Sequence, residues 1–165
     1  MISYKYLPAL VCGFGAAVLS TIPGIKAIGC CIIVPAAAWL SLFLDHRINK
    51  AVPPISVKKA IILGITTGLF AAFFSTFFDV LITLITHTNE FVQTLPQTEI
   101  AMRSFNLGKL LDDTLVLLND MSKDIAKSGF SVLYSIAILF SNIFVDIIFG
   151  LIGGLLGMVI QNKRT

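Results

Sequence analysis

Charged positions are sparse along most of this chain, and their placement divides it into segments. From Leu7 to Leu44 the only charge is Lys26, beside Pro23-Gly24. From Ala60 to Thr86 the only charge is Asp79, and from Phe130 to Ile160 the only one is Asp146. A hydrocarbon core of ~30 Å takes about 20 residues of helix. The first run is long enough for two short spans joined by a tight turn, residues 7–22 and 27–44. The other two runs predict single spans at 60–86 and 131–160. Strands are excluded, because an open sheet in lipid leaves backbone groups unsatisfied and the period-2 alternation of a barrel is missing. The pattern predicts an all-α polytopic membrane protein with four transmembrane helices, residues 1–165 forming a single membrane domain.

Between the third and fourth spans lies a connection of more than 40 residues, too long to lack structure of its own. Leu107, Leu110, Leu111, Leu115, Leu118, Met121 and Ile125 recur at helical spacing, and Lys109, Asp112, Asp113, Asn119, Asp120, Lys123, Asp124 and Lys127 take the other side. That is an amphipathic helix. Asn106 is a candidate N-cap, the early acids and late lysines suit the helix dipole, and Gly129 is placed to end it. A second, shorter helix fits residues 90–104, with Pro96 expected to break or start it. The apolar face of the longer helix is expected on the outer ends of the spans or in the headgroup layer.

Composition sharpens the class. Hydrophobic residues make up 56% of the chain and charged residues 13%, with a mean hydropathy of +0.92. Soluble domains carry about 25% charged residues, so this surface could not be covered in water. Disordered, collagen-like and nucleic-acid-binding classes are excluded on the same ground. Lys5 ahead of an apolar run resembles a secretory signal. The run continues past Pro23 and lacks an Ala-x-Ala site, which predicts an uncleaved first helix.

Basic residues in short loops set orientation. With both termini inside, the inner side holds Lys5, Arg47, Lys50, Lys58, Lys59, Lys163 and Arg164, and the short outer loop holds only Lys26. The outer segment 87–129 sets Arg103, Lys109, Lys123 and Lys127 against Glu90, Glu99, Asp112, Asp113, Asp120 and Asp124. The expected location is therefore the inner (cytoplasmic) membrane, multi-pass, with both termini cytoplasmic. The loop 45–59 is basic for the same reason, and Pro53-Pro54 stops the second helix.

The third and fourth spans carry the polar chemistry. Gly64 and Gly68 form a Gly-x-x-x-Gly pattern, as do Gly150 with Gly154 and Gly153 with Gly157. Such rows let backbones approach closely. Ser75 and Asp79 are four residues apart, and Thr76, Asp79 and Thr83 share one side of the helix; Phe70, Phe73, Phe74, Phe77 and Phe78 fill the opposite sides. Asn142 and Asp146 are likewise one turn apart. Antiparallel pairing is expected to bring the Gly64/Gly68 row against the Gly153/Gly157 row. At 1.5 Å per residue, Asp79 comes level with Asn142, with Asp146 one turn deeper. An intramembrane acid costs about 2.5–3.5 kcal/mol on insertion scales. Ser75, Asp79, Asn142 and Asp146 therefore form a candidate polar intramembrane site. Two readings compete: the acids line a cavity for a proton, ion or small solute, or they are protonated or hydrogen-bonded anchors that fix helix pairing.

Other chemistry is thin. Cys12, Cys30 and Cys31 lie in spans with no Cys-x-x-Cys and no four-ligand zinc spacing. Cys30 and Cys31 are expected on different helix faces. His46 and His87 fall at opposite ends of their spans and are expected as interface residues. No Gly-x-Ser-x-Gly, His-Glu-x-x-His or Ser/His/Asp set occurs, so neither a catalytic motif nor a cofactor or metal site is expected.

The basic loop followed by VKKAIILGITTGLFAAFFSTFFDVLI, the amphipathic outer segment and the glycine-rich last span ending in QNKR resemble small bacterial four-span proteins of the domain of unknown function 4199 type. The resemblance covers residues 50–165 and is weaker over TIPGIKAIGCC. It implies a bacterial inner-membrane protein and supplies no activity or site residues. The leading expectation is a non-enzymatic structural or accessory subunit, with the lipid bilayer, a homo-oligomer or other membrane subunits as partners. The alternative is a small transporter or channel using the acidic site.

The charge bias makes a direct prediction. With Lys50→Cys as the sole cysteine, an impermeant thiol reagent should fail to label whole cells and should label inverted vesicles. Labelling of whole cells would reverse the assigned orientation.

Overall fold

The computed structural model describes residues 6–22, 29–48, 54–104 and 108–163. Helices α1 (Leu7–Ser20), α2 (Val34–Ile48), α3 (Val57–Thr86), α4 (Glu90–Arg103), α5 (Lys109–Ser128) and α6 (Val132–Lys163) account for most of them, with no strand among the described residues. A π-turn at Gly29–Ile33 leads into α2. It sits just ahead of Pro35, which has no N–H to donate and whose ring crowds the carbonyl four residues back. A wider turn relieves both problems. The expected turn at Pro23-Gly24, the cap at Asn106, Pro53, and the basic residues Lys5, Lys26, Lys50 and Arg164 lie outside the described residues.

Three stretches are long and apolar enough to cross a membrane: Cys30–Ile48, Val57–Thr86 and Val132–Lys163. α1 is equally apolar, but its 14 residues reach only about 21 Å at 1.5 Å per residue, short of the ~30 Å core. By length the described helices thus support three spans where the sequence predicts four.

The chain forms two compact units: Met1–Phe78 with Leu139–Thr165, and Asp79–Ile138. The first is built with small residues inside and large ones outside. Ala9, Ala16, Ala17, Ala37, Ala38, Ala60, Ala71 and Ala72 are buried. Val11, Val18, Leu19, Leu40, Leu69, Phe73, Phe140, Phe144, Ile152 and Leu156 are exposed. A water-soluble bundle has the reverse arrangement. Here the exposed side chains need an apolar solvent, and close approach of the backbones supplies the interior packing. On α3, Phe73 and Phe77 face outward, while Phe70, Phe74 and Phe78 are half-buried. Phe14 of α1 meets Phe74 and Phe78 edge-on, with ring centroids 5.2 and 5.9 Å apart.

Glycine rows hold this unit together, but their pairing differs from expectation. Gly64 and Gly68 of α3 meet Gly150, Gly154 and the backbone of Asp146, whereas Gly153 and Gly157 of α6 meet Pro35 and Trp39 of α2. A β-carbon on Gly64 would lie 2.5 Å from the Gly150 carbonyl oxygen, and one on Gly154 2.5 Å from that of Ala60. The two rows on α6 thus serve two partners, a consequence of helix rotation that spacing alone does not reveal. At the end where α3 begins and α6 finishes, Ile55 N–H donates to Asn162 Oδ1 (2.8 Å), and Asn162 Nδ2 donates to the Ile55 carbonyl (3.1 Å).

In the second unit, α5 packs its apolar face as its periodicity predicts. Met121 and Ile125 form a core with Tyr134 at the start of α6, joined by Phe91, Val92, Leu118 and Ile138. Gly129 ends α5 in the left-handed region (φ +71°), its N–H bonded to the Ile125 carbonyl. A β-carbon there would also strike the Leu84 backbone. Gly108, also at positive φ, occupies the N-cap position. Pro96 does not break α4; it lies inside a continuous helix. Asn89 caps the first turn by accepting from Val92 N–H (2.9 Å), and Thr94 and Thr98 donate to carbonyls four residues back. The Asn89 cap and the packing of Phe91 and Val92 offset the one ladder bond that proline removes.

Gly68→Ala should destabilise the protein by about 1–3 kcal/mol through overpacking. Gly15→Ala should be neutral or stabilising, because nothing lies within 4 Å of a β-carbon there and alanine is the better helix former by about 1 kcal/mol. Unfolding in detergent measures both, and equal midpoints would remove the glycine contact as an organising feature.

Candidate functional site

Of the four candidate polar residues, Ser75, Asn142 and Asp146 belong to the first unit and Asp79 to the second. Asn142 Nδ2 donates to Thr76 Oγ1 (2.9 Å), and Thr76 is buried. The glycine contacts set the register of α3 against α6 within the first unit, with Gly68 against Asp146 and Gly64 against Gly150. That register brings Asn142 opposite Thr76. Ser75 is half-buried on the neighbouring face.

Asp146 is 7% exposed. Its own backbone is the surface against which Gly68 rests, so α3 and α6 touch backbone to backbone at the depth of the acid. Asp79 is half-buried. Its carbonyl accepts from Thr83 Oγ1 (2.7 Å), and Thr83 in turn receives Asn89 Nδ2 (3.4 Å). The Thr76, Asp79 and Thr83 face therefore includes two buried threonines whose hydroxyls have assigned partners.

The cysteines also depart from expectation. Cys30 and Cys31 occupy the π-turn, and their sulfurs lie 3.6 Å apart, because its wider turn changes the angle between neighbouring side chains. Cys12 is buried with Ala16, Val34, Ala37 and Ala71, linking α1 to α2 and α3. Among the described residues no three His, Cys, Asp or Glu side chains gather as metal ligands. His87 takes a left-handed conformation (φ +54°) just after α3, its N–H bonded to the Thr83 carbonyl; His46 lies in the last turn of α2.

Sequence reasoning missed the most strongly charged feature. Asp45, near the end of α2, is 1% exposed and forms an ion pair with Lys59 in the first turn of α3. Beside the pair is a cavity of about 340 Å³ lined by Tyr6, Asp45, Ser56, Lys58, Lys59, Ile62 and Leu63. One turn before Asp45, Ser41 is fully buried on the same helix face. A signal was present: Asp45 is the only acid on the side of the chain assigned as inner. Counting basic residues for topology passed over it.

Comparison with family models, with curated proteins and with solved structures finds no match to this chain. What the site does is therefore argued from its geometry.

A double-mutant cycle of Thr76→Val and Asn142→Val tests the interhelical bond. Its coupling energy should be about 0.6 kcal/mol and no more than about 1.7, the range for such bonds inside membranes. A coupling of zero would mean that the two side chains do not bond in the folded protein.

Proposed function

We propose that the chain is a non-enzymatic integral protein of the bacterial cytoplasmic membrane, acting as a structural or accessory subunit. It crosses the bilayer four times with both termini in the cytoplasm, α1 counting as a short span and α5 as an extracytoplasmic amphipathic helix. Exposed Val11, Phe14, Val18 and Leu19 on α1 support the fourth span. The resemblance to the domain of unknown function 4199 type supports the bacterial setting. Lipid is the first partner, and a second copy or another membrane subunit shares the apolar girdle.

One observation carries this reading over transport: α3 and α6 close backbone to backbone at Gly68 and Asp146. A solute or ion route using Asp146 needs water at that depth, and a β-carbon at Gly68 already lacks room. Asp146 serves there as an anchor that fixes the register of the pair. The transport reading draws on a different fact, the burial of Asp146 at a depth where a charge is expensive.

Proteoliposomes under a proton or cation gradient separate the two. Wild type, Asp79→Asn and Asp146→Asn should all leak no faster than protein-free vesicles, and crosslinking in native membranes should trap the chain with a second copy or another membrane subunit. Flux above background that Asp146→Asn abolishes, in a variant that still folds, would overturn the accessory reading in favour of transport.

A further inference from the structure

We propose that the cavity beside Asp45 and Lys59 holds the phosphodiester of an anionic phospholipid, gripped by Lys58 and Lys59. The cavity lies where α1 and α3 begin and α2 ends, the end of the first unit at which Arg47, Lys58, Lys59 and Lys163 also lie. Its volume of about 340 Å³ is at the small end of ligand sites, which run about 300–1,000 Å³, and suits a headgroup better than a whole lipid.

The charges define the ligand. Lys58, Lys59 and Asp45 leave the lining with one net positive charge. The buried Asp45 carboxylate is committed to Lys59, while Lys58 is exposed and forms no ion pair among the described residues. One phosphodiester carries the single negative charge that balances this lining. A phosphomonoester dianion would add a second charge beside buried Asp45. Ser56 contributes a hydroxyl that can donate to a phosphate oxygen. The Ser56 carbonyl already accepts from the N–H groups of Lys59 and Ala60, so the start of α3 adds the favourable field of its dipole.

The surroundings favour a lipid over free phosphate. Ile62 and Leu63 form an apolar part of the lining. Leu7, Ile48 and Val57, close in sequence to lining residues, are exposed apolar side chains. Acyl chains emerging from the cavity would run over these side chains, a continuation that a free ion does not offer. On the orientation proposed above, the lipid belongs to the cytoplasmic leaflet. The proposal needs only that this end meet a headgroup layer, so it survives a reversed orientation.

Native mass spectrometry of the full chain in detergent, with phosphatidylglycerol or phosphatidylcholine added, reads lipid retention directly. Wild type should retain phosphatidylglycerol over phosphatidylcholine, and millimolar inorganic phosphate should not displace it. Lys58→Gln should lower phosphatidylglycerol retention about tenfold, the loss expected for one charge-assisted hydrogen bond, with an unchanged unfolding midpoint because Lys58 is exposed. Lys163→Gln, an exposed lysine at the same end, should change retention little. Equal losses in Lys58→Gln and Lys163→Gln would reduce the effect to general surface charge and overturn the site. Displacement by inorganic phosphate would overturn the lipid assignment, and unchanged retention in Lys58→Gln would overturn the role of the cavity.

Discussion

The contact on which the first unit depends is the meeting of α3 and α6 along Gly64, Gly68, Gly150 and Gly154. Helices in lipid gain nothing from removing apolar surface from water, so their association rests on close packing and on polar bonds between them. Glycine makes that packing possible by removing the side chain that would hold two backbones apart. Gly153 and Gly157 repeat the device toward Pro35 and Trp39. At 100° per residue the two rows on α6 lie about 60° apart, so one helix presents neighbouring flat faces to two partners. α6 is therefore the hub of this unit. The large side chains of α3 and α6 are left on the outside, where Phe73, Phe140 and Phe144 appear.

The glycine register decides which polar groups can meet. With Gly68 on the Asp146 backbone, Asn142 comes opposite Thr76, and an amide–hydroxyl bond forms where neither partner can turn to water. Asp146 itself is buried at this depth, so a change that widened the glycine seam would loosen the pair where the acid lies.

What could be read in the sequence was local in origin. The apolar runs, the helix at Lys109–Ser128 and its termination at Gly129 follow from spacing and from the conformational freedom of one residue. The six glycines also stand out by spacing. Their partners do not, because pairing depends on the rotation of α6 about its axis, and a three-residue shift from Gly150 to Gly153 changes the partner from α3 to α2. Pro96 misleads for a related reason: a proline's cost is local, while the capping and packing that offset it come from Asn89, Phe91 and Val92. The Cys30 and Cys31 sulfurs meet because Pro35 forces a wider turn than ideal helical geometry assumes.

Counting basic residues passes over the Asp45–Lys59 pair for a different reason. Charge counting treats each loop residue as solvated, yet Asp45 is almost wholly buried. Moving two charges out of water costs several kcal/mol per ion, and a well-packed apolar pair is often as stable or more so. Stability alone therefore gives little reason to keep the pair. Removing Lys59 alone is another matter, because it strands the buried Asp45 charge at a cost of about 3–5 kcal/mol. The pair does have a second consequence. Asp45 cancels one of two adjacent lysines, so the cavity presents a single positive charge in place of two. It also draws the Lys59 side chain toward α2 and leaves Lys58 as the outward cation. A buried ion pair thus sets both the charge and the geometry of the recess beside it.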